Sequence, residues 1–205
     1  MLRVGVLVSG GGTNFQAISD AINNGKIPDT EIVLLISSTK NAYALERGKV
    51  FNIPSKVIVR KDYPSAEAYN VAMVQALNSS RVDVVLLAGF MKILSSTFIQ
   101  AFRNRILNIH PSLIPAFSGK GYYGLKVHEA VLKKGVKVTG ATVHLVNEEV
   151  DGGKILAQKA ITVKENDTPE TLQQRVMEEA EWQIYPEVLR DWALGNYNYL
   201  FERTS

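Results

Sequence analysis

Three near-continuous apolar runs set the frame of this chain: Leu2–Val8 (LRVGVLV), Glu31–Ile36 (EIVLLI) and Val82–Ala88 (VDVVLLA). None alternates polar with apolar residues along its length, so each reads as a buried strand. Such strands belong in a parallel sheet whose two faces are both covered by helices. The intervening residues supply those helices. Asn14–Asn24 carries Phe15, Ile18 and Ile22 at helical spacing and stops at Gly25. Ala42–Asn52, Ser65–Asn78 and Ser95–Phe102 read as further helices, Ser55–Val59 and Arg105–Ile109 as short strands. The crossovers should be right-handed.

Beyond Ile109 the pattern changes. Pro111–Gly124 is a loop rich in Pro, Gly and Ser, and Leu125–Lys134 is helical. Val136–Val146 and Lys154–Thr162 are strands joined through Glu148–Gly153, which predicts antiparallel pairing. Thr168–Leu194 reads as a long helix broken near Pro186. The fold class is therefore α/β: a Rossmann-like, mostly parallel sheet with helices on both faces, continued by an antiparallel C-terminal part and a long C-terminal helix. A single domain is expected over 1–205, with a phosphate-binding half (1–110) and a second half (111–205) that meet at the Pro111–Gly124 loop.

A chain of 205 residues buries roughly 70% of the surface its unfolded form exposes, so it needs no covalent staple. It has no cysteine, which excludes disulfides and thiolate metal sites and fits a reducing compartment. The net charge is +3, and the basic pairs Arg60-Lys61 and Lys133-Lys134 lack interleaved aromatics. No nucleic-acid footprint is expected from them. A mild positive charge still favours anionic small molecules. The apolar run Leu2–Val8 is too short for a signal segment or a membrane span, so a cytoplasmic location is expected.

Four segments carry candidate chemistry. Ser9–Asn14 (SGGGTN) lies between the first strand and the first helix. Its glycines allow close backbone approach, and the helix behind it offers free N–H groups and a positive dipole end for a phosphate. It is neither a dinucleotide fingerprint nor a P-loop, since Phe15 stands where the third glycine would be and no Gly-Lys-Ser/Thr follows. The plainer alternative is a tight turn capped by Thr13 or Asn14. In Asn108-Ile109-His110-Pro111, the residues two apart share one face at the carboxyl end of a strand, and Pro111 ends the strand. An amide donor beside an imidazole can stabilise an oxyanion and manage a proton. Asp151, in Val150–Gly153, can raise and orient a nearby imidazole, although Asp-Gly is also an ordinary turn. Gly89–Leu94 offers an apolar wall for a flat heterocycle, or simply core packing. His128 reads as surface or packing, His144 as structural.

Taken together these segments resemble the phosphoribosylglycinamide formyltransferases, folate-dependent enzymes of purine synthesis. Ser9–Asn14, Leu86–Leu94 (LLAGFMKIL), Leu107–Pro115 (LNIHPSLIP), Thr139–Leu145 (TGATVHL), Val150–Gly153 and Ile184–Pro186 fall in the family's order from the first strand to Pro186. The resemblance implies a catalytic trio of Asn108, His110 and Asp151. It implies that Gly11, Gly12, Thr13 and Asn14 hold the substrate phosphate and that Glu181 binds ribose hydroxyls. Met91, Lys92, Ile93 and Leu94, with Val146 and Val150, match the folate pocket, to which Asn108 also contributes. Thr142 stands where the family carries a small hydroxyl residue. Three features depart from the pattern: Lys92 replaces a common arginine, the loop Phe117–Gly124 differs in composition, and no arginine lies in Lys61–Ala66.

The implied reaction is transfer of the formyl group of 10-formyltetrahydrofolate to the amine of glycinamide ribonucleotide by direct attack through a tetrahedral intermediate. Asn108 and a protonated His110 would hold the oxyanion while Asp151 keeps His110 charged. No metal is implied, and the protein would be a monomer or homodimer. A formyltetrahydrofolate deformylase and a transfer-RNA formyltransferase share the trio. Neither substrate puts a monophosphate at Ser9–Asn14, and each of those enzymes usually carries an extra domain. A non-catalytic folate- or nucleotide-binding protein is the alternative from another class.

Overall fold

The computed structural model describes residues 1–201. Its seven strands form one sheet. β1 (Leu2–Val8), β2 (Thr30–Ser37), β3 (Ser55–Val57), β4 (Val84–Leu87) and β5 (Ile106–His110) run parallel, and β6 (Val138–Leu145) and β7 (Ile155–Thr162) continue it antiparallel. The spatial order is β3-β2-β1-β4-β5-β6-β7. This matches the fold class and the antiparallel pairing read from the sequence.

The near-continuous apolar runs are explained by the two cores they feed. Successive side chains of a strand point to opposite faces. In β1, Val4, Val6 and Val8 enter one core while Leu7 enters the other. The first core is closed by α1 (Thr13–Asn23), where Phe15 and Ile18 are fully buried, and by Tyr185 and Leu189 of the C-terminal helix. α2 (Tyr43–Val50) lies on the same side as α1 and buries Ala44 in the first core. The second core is closed by α3 (Ala66–Ser79) and α4 (Ser96–Ala101) through Tyr69, Met73 and Phe98. Each such buried side chain contributes roughly 1.5–3 kcal/mol. Ser65 and Ser95 cap α3 and α4 by accepting from the N–H groups of Ala68 and Phe98.

The second half adds α5 (Leu125–Lys134), α6 (Pro169–Val176) and α7 (Trp182–Ala193). The long helix expected over Thr168–Leu194 is interrupted, but not at Pro186, which lies inside α7. The interruption is a π turn at Met177–Glu181, where the N–H of Trp182 reaches back five residues to the Met177 carbonyl. A π turn inserts one extra residue into a helix and turns the following side chains. Tyr185 then places its hydroxyl 3.1 Å from the Leu87 carbonyl and 3.0 Å from that of Leu107. The last helix is thereby tied to the carboxyl ends of β4 and β5.

Strand order reverses between β1 and β4, and open α/β sheets bind ligands outside the carboxyl ends of the strands at such a point. The loops after the two strands are joined there. The N–H of Met91 donates to Ser9 Oγ at 2.8 Å.

Candidate active site

A cavity of about 780 Å³ opens at that point. It lies within the usual size range for a small-molecule site, roughly 300–1,000 Å³. One wall is the glycine loop. Gly12 takes a left-handed conformation at φ 73° and is the N-cap of α1, with no side-chain cap among the described residues. The expected cap by Thr13 or Asn14 is therefore not formed, and the first N–H groups of α1 stay available to an anion. A Cβ on Gly12 would sit 2.6 Å from Ala44 Cβ, so α2 packs on the loop too closely for any other residue. The Ala44 N–H and the Arg47 guanidinium hold it further, donating to the carbonyls of Gly10 and Gly11.

Asn14 is turned inward. Its Nδ2 donates to Glu181 Oε2 at 2.5 Å, while its Oδ1 is buried without a partner among the described residues. Burial pushes the Glu181 carboxyl up to about 7, against the opposing effect of that hydrogen bond. The π turn aims Glu181 into the cavity beside Gln173 and Met177.

Asn108 and His110 reach the cavity from the end of β5, two residues apart on one face as the strand period requires. His110 is 4% exposed. Its Nε2 lies 2.9 Å from the Phe117 carbonyl, which can only accept, so Nε2 carries the hydrogen and Nδ1 is left as the working atom. Nδ1 lies 3.6 Å from Asp151 Oδ2. Burial lowers the His110 pKa more than Asp151 and the Phe117 carbonyl raise it, with His144 lowering it further. Burial thus works against the charged ring expected from the sequence, while Asp151 works for it.

Asp151 sits at φ 56°, a left-handed conformation that few side chains other than Asp and Asn accept readily. Gly153 secures the loop, because a Cβ there would run into the Leu145 carbonyl. The Asp151 Oδ2 accepts from the Gly119 N–H at 2.9 Å. Burial works to raise its pKa, but His144, His110 and the Gly119 N–H together hold the carboxyl below its ordinary value. It is ionised at neutral pH.

Asn108, His110 and Asp151, and all five residues expected at the phosphate and ribose, line this one cavity. Of the residues expected at a folate pocket, Met91, Lys92, Ile93 and Val150 line it, and Met91, Ile93 and Val150 expose apolar surface. Leu94 and Val146 do not line it. Leu94 is buried in the second core, and Val146 packs against that core while its N–H bonds to the Ile106 carbonyl. Thr142 lies behind the site. Its Oγ1 donates to the Ser112 carbonyl and accepts from the Ile114 N–H, bracing the loop after β5.

Two histidines were not legible as site residues. His144 approaches both Asn108 and Asp151. His128, on α5, lies under the cavity wall, fully buried rather than on the surface. Neither of its ring nitrogens has a partner among the described residues, and burial first, then His110, push it down to about 4. No spacing signal marks either residue. The pairing of β5 with β6 and the docking of α5 bring them in.

The chain matches the family described as formyl transferase over residues 2–189. It is 42% identical over 195 residues to phosphoribosylglycinamide formyltransferase of Haemophilus influenzae, covering 95% of this chain and 89% of that protein. It is 45% identical over 188 residues to the chloroplastic phosphoribosylglycinamide formyltransferase of Arabidopsis thaliana, covering 91% of this chain but only 64% of that protein. The crystal structure of glycinamide ribonucleotide transformylase 1 from Symbiobacterium toebii superposes with a TM-score of 0.90 at 44% identity, covering 95% of this chain and 89% of that one. The chain belongs to the formyl transferase family, and within it to the phosphoribosylglycinamide formyltransferases.

Proposed function

We propose that this protein transfers the formyl group of 10-formyltetrahydrofolate to the amine of glycinamide ribonucleotide, one step of purine synthesis. The observation that carries this reading is the convergence on one cavity of an open helix N-terminus at Gly12, a buried carboxylate at Glu181 and the Asn108–His110–Asp151 cluster. The first takes a monophosphate, the second ribose hydroxyls, and the third lies beside the apolar wall of Met91, Ile93 and Val150 that suits a folate ring.

The folate supplies a formyl carbon whose oxygen gains negative charge when the amine adds. Asn108 donates an N–H to that oxygen. His110, neutral and tied through Nε2, takes the proton that the attacking nitrogen releases at its Nδ1. Asp151 stabilises the resulting imidazolium. The C–N bond to the substrate forms, the C–N bond to the folate breaks, and the proton returns from His110 to the departing folate nitrogen. An α-amino group with a pKa of about 8 has a useful neutral fraction near pH 7, so no covalent enzyme intermediate is needed.

Lys92 and Lys120 stand on the cavity lining as charges for anionic groups. Among the described residues no cluster of three potential metal ligands occurs, and no helix is long and apolar enough to cross a membrane. We read the protein as cytoplasmic, as a monomer or homodimer, and as working on small molecules without nucleic acid. The test is spectrophotometric: deformylation of 10-formyltetrahydrofolate (or its dideaza analogue) should require glycinamide ribonucleotide. Deformylation in water alone would identify a hydrolase instead.

A further inference from the structure

We infer that His144 is a positioning residue for Asn108: held in one tautomer by the Leu145 carbonyl, it fixes which end of the Asn108 amide is anchored and so where the remaining N–H points. The inference rests on the proposed role of Asn108 as the donor to the formyl oxygen.

Asn108 and His144 stand directly opposite each other across the antiparallel β5–β6 pair. His144 Nδ1 lies 2.8 Å from the carbonyl of Leu145. A carbonyl only accepts, so Nδ1 carries a hydrogen, and in the neutral ring Nε2 is left with its lone pair. That lone pair faces Asn108 Nδ2 at 3.1 Å. It accepts an N–H and repels an amide oxygen. Asp151 Oδ1 lies 3.6 Å from the same Nε2, a longer contact than the one to Asn108.

An asparagine side chain needs such a device. Its oxygen and nitrogen are alike in size, and strand geometry fixes where the amide lies but not which end is which. His144 is 2% exposed, so water cannot take its place. Anchoring one N–H on His144 leaves the second N–H of the same nitrogen uncommitted. An oxyanion donor works by being oriented before charge develops, with no reorganisation at the moment of reaction. Without the Nε2 lone pair the two ends of the amide become nearly interchangeable, and the donor is in place only part of the time.

His144→Phe removes the acceptor at similar bulk, while His144→Gln offers a carbonyl oxygen that can accept from Asn108 in its place. His144→Phe is expected to lower kcat by about 10-fold or more, below the ~10²–10³ ceiling for losing the donor itself. Its KM values for both substrates should stay within about 2-fold, because only a transition-state contact is lost. His144→Gln should recover most of the loss. In an Asn108→Ala background, His144→Phe should cost less than about 2-fold further, since it acts only through Asn108. An unchanged kcat, or a full additive loss in that background, overturns the inference. The ring nitrogens of the wild-type protein, read by ¹⁵N NMR, give a test independent of turnover and of whether the variants fold. A His144 carrying its hydrogen on Nδ1 is expected, and one carrying it on Nε2 overturns the inference. If the wild type transfers no formyl group to glycinamide ribonucleotide, the proposed function fails, whatever the tautomer.

Discussion

Asn14 Nδ2 donates to Glu181 Oε2 across 2.5 Å, joining the first helix to the π turn 167 residues later. A buried carboxyl with one such partner is held at a cost. Its pKa is pushed from 4.5 up to about 7, so between those values the folded protein keeps a proton that the unfolded chain has lost. Stability therefore falls as pH rises through that window. At ~1.4 kcal/mol per pH unit, the full effect is about 3 kcal/mol above pH 7. Glu181→Gln should raise the melting temperature of the unliganded protein at pH 8 more than at pH 5, and should raise KM for glycinamide ribonucleotide. Melting curves at the two pH values, with KM measured alongside, check this. Equal melting shifts at both pH values would contradict it.

His128 gives the opposite slope. Burial holds it at about 4, so below its ordinary 6.5 the unfolded chain takes up a proton that the folded protein refuses. Stability falls as pH drops from 6.5 to 4, by about 3 kcal/mol over the whole window. His128→Leu should flatten this acid slope. It should cost nothing at pH 7, where the ring leaves two buried nitrogens without partners among the described residues. Denaturant titrations at pH 4.5 and 7 measure both effects.

The strand pattern carried most of the fold. Leu2–Val8 and Val82–Ala88 are apolar at most positions because each feeds two cores, which a doubly covered sheet provides. The glycine loop and the Asn108–His110 pair were equally legible, since both follow from local geometry at strand ends. What was not legible depends on distant packing. The π turn arises in a stretch with ordinary helical residues, and His144 reads like any strand residue until β6 lies against β5. Leu94 follows the cavity wall in sequence but points into the core.

Asp151→Asn tests the direction of coupling in the trio. Asn keeps the left-handed backbone but removes the charge that raises the His110 pKa. The plateau of kcat should fall. The acid limb that reports His110 should move to lower pH, because burial then acts with less opposition. A limb that moves to higher pH would contradict the assignment.

Gly12→Ala places a Cβ 2.6 Å from that of Ala44 at a φ of 73°. The left-handed strain alone costs roughly 1–2 kcal/mol. Any loop shift that relieves the clash moves the free N–H groups of α1. Calorimetry should show weakened binding of glycinamide ribonucleotide with unchanged affinity for a folate analogue. Equal losses for both ligands would mean that the loop does not read the phosphate.

The most direct test is the rate of 10-formyltetrahydrofolate deformylation, followed by ultraviolet absorbance, in wild type and Asn108→Ala with and without glycinamide ribonucleotide. The wild type should turn over only with the ribonucleotide, and Asn108→Ala should be slower by about 10²–10³. Turnover without the ribonucleotide, or an Asn108→Ala variant at near-wild-type rate, would contradict transfer through this cluster.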